Sequence, residues 1–78
     1  MPKVLVADDD RDLRGVIKFV LVSAGYQVTE ARDGRAALEK ARAEHPDLIL
    51  LDLMISGMDA AEALEKLGES PETSEIPV

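Results

Sequence analysis

Cysteine is absent from this 78-residue chain, which removes disulfides and thiolate metal sites together and suits a reducing cytoplasm. No apolar run is long enough to cross a membrane. A secretory leader is not expected either, because Met1-Pro2-Lys3 leads into only four apolar residues before acids begin. Basic residues are few: nine Lys and Arg face 16 Asp and Glu, for a formal charge of −7 without a basic patch. Such a surface repels the nucleic-acid backbone, so direct DNA or RNA binding is not expected. Internal repeats and low-complexity tracts are also missing. What remains, 46% hydrophobic and 32% charged, is the composition of one small domain spanning residues 1–78. A chain of this size buries only about 60% of its unfolded surface, so its core is thin.

The chain is organised around Pro46-Asp47-Leu48-Ile49-Leu50-Leu51-Asp52, an apolar run that ends on a carboxylate. Its length and flanking turn signals predict a buried parallel strand, and Pro46 argues against a helix. Lys3-Val4-Leu5-Val6-Ala7 is a second such run and breaks at Asp8-Asp9-Asp10. From Arg11 the period changes. Leu13, Val16, Ile17, Val20, Leu21 and Ala24 recur at three and four, which predicts a helix with that face inward, capped by Asp10 and ended by Gly25.

Tyr26 to Ala31 alternates and contains β-formers, as an edge strand would. Asp33-Gly34 is a turn before a helix over residues 35–44, with Ala37, Leu38 and Ala41 inward. Asp59 can cap a third helix through Leu67, with Ala60, Ala63, Leu64 and Leu67 inward and Gly68 as its stop. Glu69 to Glu75 is loop-like, and Ile76-Pro77-Val78 begins another apolar segment.

Alternating strands and helices define an α/β sandwich with a doubly wound parallel sheet. Right-handed crossovers put helices on both faces only if the strand order reverses. The first strand is more apolar than the second and is therefore central, giving the order 2-1-3. In that order the carboxyl ends of the first and third strands flank the topological switch point, where ligands bind in open α/β sheets. Asp8, Asp9 and Asp52 converge there. Their mutual repulsion is relieved by raised pKa values or by a hard divalent cation, and magnesium, which takes one or two carboxylates plus waters and phosphate oxygens, fits best. A carboxylate beside such a metal can attack phosphorus and form an acyl phosphate. The plainer alternative makes Asp8 to Asp10 helix-capping acids favoured by the dipole.

These residues resemble the receiver domains of two-component response regulators. Val4-Leu5-Val6-Ala7-Asp8-Asp9-Asp10 resembles the family's first strand and acidic pair, and Pro46 to Met54 resembles its phosphoacceptor strand. Asp33-Gly34-Arg35-Ala36-Ala37-Leu38 is similar to its second helix start, and Gly57-Met58-Asp59 to the loop after the phosphorylated acid. The resemblance implies a partial flavodoxin-like fold. It makes Asp52 the phosphoacceptor, Asp8, Asp9 and Asp52 magnesium carboxylates, and Met54 a backbone-carbonyl ligand. It further implies a histidine kinase or phosphotransfer domain as donor, and a phosphoacceptor that at most phosphorylates itself rather than a turnover enzyme.

Ser56 stands where the family usually has Pro, and Ala60 where it usually has Gly. The resemblance stops inside the fourth strand, so a truncated receiver is expected. The family's phosphoryl-binding Ser or Thr and its strand-end Lys have no counterparts in this sequence, which implies poor activity. A non-catalytic, self-associating interaction module is the alternative. Beside the third strand the family carries a fourth, so Leu48 to Leu51 would form an open apolar edge. That edge predicts a homodimer with antiparallel third strands. His45, at a helix end, is read as a dipole partner, and Ser70, Thr73 and Ser74 as solvated linker residues.

Overall fold

A computed structural model describes residues 2–52, 60–71 and 73–78. The elements run β1 (Lys3–Ala7), α1 (Arg11–Ser23), β2 (Gln27–Ala31), α2 (Gly34–Glu44), β3 (Leu48–Leu51) and α3 (Ala60–Glu69). The three strands are parallel in the order β2-β1-β3, as the polarity of the strands predicted. Val4 lies opposite Val28 on one side and Leu48 on the other, and Ala7 lies opposite Ala31 and Leu51.

β1 is central and almost wholly buried, because every one of its side chains meets a helix layer. Leu5, Ala7, Ala31 and Ile49 point to one face, where they form a single core with Ala37, Leu38 and Ala41 of α2 and Leu67 of α3. The alanines of α2 let that helix approach closely, and Leu5 and Ile49 are fully enclosed.

Local chemistry sets each helix end. Asp10 caps α1 by accepting from the amides of Asp12 and Leu13, and Gly25 follows the helix at φ 97°, a conformation that costs a residue with a Cβ. Asp33 caps α2 through the amide of Ala36, and the helix closes at His45 in a left-handed conformation. The histidine is thus a C-cap, as its position predicted. At the same end of the sheet, Glu44 is hydrogen-bonded by Thr29 and Lys3, which holds its carboxyl below its ordinary range.

The packing differs from the sequence reading in three places. First, α1 has no buried residue at all: Leu13, Val16 and Val20 are about half exposed, and only Ile17, Leu21 and Arg14 are partly covered. Its apolar face is wider than the strip of sheet beneath it. Second, Leu64 is not an inward residue of α3 but is 39% exposed, whereas Ala63 and Leu67 are buried; the predicted cap Asp59 lies outside the described residues. Third, Thr73 is not a linker residue. It is buried, and its hydroxyl donates to the carbonyl of Leu67 at 2.6 Å, occupying a carbonyl that the last turn of α3 leaves unpaired. A Thr in a polar stretch carries no periodic signal, so only the fold places it.

The outer edge of β3 is partly occupied as well. The amide of Ile49 donates to the carbonyl of Pro77 at 2.9 Å, so Ile76-Pro77-Val78 runs alongside the strand the sequence reading left open. Gly15 sits within α1 with open space where a Cβ would be. Gly15→Ala is expected to stabilise the chain by about 0.5–1 kcal/mol through helix propensity, read as a rise in the urea midpoint at unchanged slope.

Candidate functional site

The site forms where β1 and β3 end side by side. The amide of Asp8 donates to Ala31 at 3.0 Å and that of Asp52 to Ala7 at 3.0 Å, so strand pairing continues one residue beyond each strand. This locks both acids to the sheet. Asp8 is buried, and its carboxylate accepts the amide of Asp10 at 2.9 Å, which fixes its rotamer. Asp9 is exposed and Asp52 half-buried. One carboxylate oxygen from each of Asp8, Asp9 and Asp52 lies within 4.8 Å of the others.

The three successive acids therefore divide their work. Asp10 caps α1, while Asp8 and Asp9 turn toward Asp52, so helix capping accounts for one of them and not for the cluster. Met54, the carbonyl ligand implied by the resemblance, lies outside the described residues. Two carboxylates at this spacing repel by about 1 kcal/mol in bulk water and by about 3–4 kcal/mol at an effective dielectric of 20. All donors are hard oxygens, which fits magnesium or calcium and gives no reason for a softer metal.

Among the described residues the lysines are held elsewhere. Lys3 and Lys40 pair with Glu44, Lys18 pairs with Glu30, and Lys66 lies between α2 and α3. Arg14 is the nearby cation that sequence reasoning missed. Its guanidinium donates to the backbone carbonyl of Asp8 at 2.8 Å and to Glu30 at 3.2 Å, clamping α1 onto the ends of β1 and β2. Its position one turn into the helix was the available signal, but its partner is a backbone atom, which no pattern reveals. Below the acids a cleft of about 410 Å³ runs between α1 and β3, lined by Leu13, Ile17, Leu50 and Val78 among others.

Fold and site together define a doubly wound α/β domain with an acidic crevice at its switch point. The sequence model of the response regulator receiver domain matches residues 4–78, and the chain belongs to that family. Over 65 residues it is 42% identical to the alkaline phosphatase synthesis transcriptional regulatory protein PhoP of Bacillus subtilis, covering 83% of this chain and 27% of that protein. Sporulation initiation phosphotransferase F of the same organism is 40% identical over 65 residues, 83% of this chain and 52% of that protein.

Among solved structures, the chemotaxis response regulator CheY4 of Vibrio cholerae superimposes with a TM-score of 0.93 at 34% identity, over 99% of this chain and 64% of that one. The N-terminal domain of a response regulator receiver protein from Methanoculleus marisnigri gives 0.92 at 39% identity, over 97% and 62%. The chain thus spans about a quarter to a half of these two curated relatives and under two thirds of these solved chains. It is a receiver-family chain of two-component signalling, with the receiver's strand order and its acidic crevice. Among the described residues no helix is long and apolar enough to cross a membrane.

Proposed function

We propose that the chain is a phosphoacceptor in which Asp52 takes a phosphoryl group from the phosphohistidine of a histidine kinase or phosphotransfer domain. The observation that carries this reading is the convergence of Asp8, Asp9 and Asp52 at the ends of two adjacent strands. One oxygen of the Asp52 carboxylate attacks phosphorus, the P–N bond to imidazole breaks, and the freed imidazole takes up a proton. Asp8 and Asp9, with Asp52, would hold magnesium, which when bound neutralises charge on the transferring oxygens. Asp8 is preorganised for this by its bond from Asp10, while Asp9, exposed, adapts. The protein is then a signalling acceptor rather than a turnover enzyme, acting in the cytoplasm through changed partner binding.

Among the described residues Lys3, Lys18 and Lys40 pair with Glu44 or Glu30 and Lys66 lies between α2 and α3, so charge neutralisation by a bound cation is the principal stabilisation in this reading. Incubation with acetyl phosphate and magnesium should add one phosphoryl group in intact mass. No added mass after prolonged incubation would refute the acceptor reading. Magnesium binding has its own test. A calorimetric titration should show weak, saturable binding that Asp9→Ala abolishes, and equal binding by the variant would remove Asp9 from the site.

We also propose that the 78-residue chain self-associates as a homodimer, independently of whether Asp52 is phosphorylated. The observation behind this is the row of half-exposed apolar residues on α1.

A further inference from the structure

Arg14 stands apart from the other ion-paired cations. Its side chain is 16% exposed, against 31–79% for Lys3, Lys18, Arg35 and Lys40. Covering a charged group costs free energy unless its donors are met. Here Nε donates to a carboxylate oxygen of Glu30 at 3.2 Å, and Nη1 donates to the carbonyl of Asp8 at 2.8 Å. Glu30 is itself steadied by Lys18, whose Nζ reaches its other oxygen at 3.4 Å. The next residue of β2 serves the same neighbour, because the carbonyl of Ala31 takes the amide of Asp8 at 3.0 Å. The end of β2, an edge strand that supplies none of the three clustered acids, therefore holds Asp8 by its amide directly and by its carbonyl through Arg14.

The hold on the carbonyl differs in kind from the other two at this residue. The amide bond to Ala31 places Asp8 itself, and the bond from the Asp10 amide at 2.9 Å sets the Asp8 carboxylate. The carbonyl oxygen lies in the planar unit that joins Asp8 to Asp9, so fixing that oxygen fixes the plane from which Asp9 leaves. Asp9 is exposed, so its aim toward Asp8 and Asp52 depends on its main chain more than on packing. Magnesium accepts oxygen ligands only near octahedral positions at about 2.0–2.1 Å, and loss of a group that orients a ligand typically costs about 10–100-fold in metal affinity.

We propose that Arg14 is a positioning residue for the acidic crevice: its guanidinium, held by Glu30, sets the Asp8–Asp9 peptide and through it the direction of Asp9. The statement rests on the magnesium reading of that crevice and adds the residue that shapes it. Charge and position act here in opposite directions. A fixed cation beside a cation site repels the metal, so deleting the charge alone tightens binding, whereas deleting the clamp loosens it. Lysine keeps the charge but not the planar fork, and so does not span Glu30 and the Asp8 carbonyl as the guanidinium does.

Magnesium titration of the 78-residue chain at constant ionic strength, followed through the amide resonances of residues 8–10, reads the effect. Arg14→Gln and Arg14→Lys should each weaken binding by about tenfold or more. Lys18→Gln, which removes a charge paired to Glu30 but no bond to Asp8, should change it by under about twofold. Without metal, the Asp10 amide should exchange faster with solvent in both Arg14 variants, because its acceptor, the Asp8 carboxylate, sits on the loosened turn. Circular dichroism and the urea midpoint check the fold, and Arg14→Lys, the milder change, carries the test alone if Arg14→Gln does not fold. A wild-type chain that takes up no magnesium would remove the metal reading and this inference with it. Wild-type binding that Arg14→Lys matches, or that Arg14→Gln exceeds, would keep the metal and refute the clamp. A lowered urea midpoint with unchanged magnesium affinity would make Arg14 a stability residue only.

Discussion

Asp52→Asn is expected to reduce phosphoryl incorporation from acetyl phosphate below detection, while leaving the fold intact. The amide has the shape of the carboxylate but no anionic oxygen to attack phosphorus, so the acyl phosphate cannot form. Asp52 is half-buried beyond the end of β3, where its main chain is held by the bond to Ala7, and that bond is untouched by the substitution. Removing one of three clustered negative charges relieves repulsion among them. The informative companion is Asp52→Glu. It keeps the nucleophile but moves it by about one methylene, and a displacement of about 1 Å costs roughly 100-fold in such reactions. Label that survives in Asp52→Asn would show that another residue is the acceptor. Label in Asp52→Glu at the wild-type rate would show that positioning by β3 is unimportant.

The second large effect is on stability. Ile49→Ala is expected to destabilise the chain by about 2–5 kcal/mol, because Ile49 is fully enclosed and a truncated side chain leaves a cavity among Leu5, Leu67 and the alanines of α2. Against a total of about 4–12 kcal/mol for a domain of this length, that loss populates the unfolded chain at room temperature. Leu50→Ala, one residue along the same strand, should cost less, about 1–1.5 kcal/mol, since Leu50 is 38% exposed on the α1 side. Urea unfolding followed by circular dichroism separates the two. Equal midpoints would mean that the α2–α3 face is not the principal core.

Much of this protein was legible in the sequence, for identifiable reasons. Two apolar runs, each ending in acid, fixed β1 and β3, and the greater polarity of Tyr26 to Ala31 fixed β2 as an edge. The 2-1-3 order followed from strand polarity with the handedness of crossovers. That order alone brought Asp8 and Asp9 beside Asp52. Capping by Asp10 and Asp33, and the helix end at His45, are local chemistry that a few consecutive residues determine.

What only the tertiary structure decided is which apolar faces are covered. Periodicity shows that Leu13, Val16 and Val20 share one side of a helix, but burial depends on what lies opposite, and α1 packs chiefly on β1 and β2. Leu64 fails for the same reason, lying at the margin of a face that Ala63 and Leu67 fill. Thr73 and Arg14 act through the carbonyls of Leu67 and Asp8, which are brought within reach by a turn and by a strand end. Side-chain types do not encode such partners. Backbone groups are the same at every position of the chain, so their pairing becomes visible only when the chain has folded.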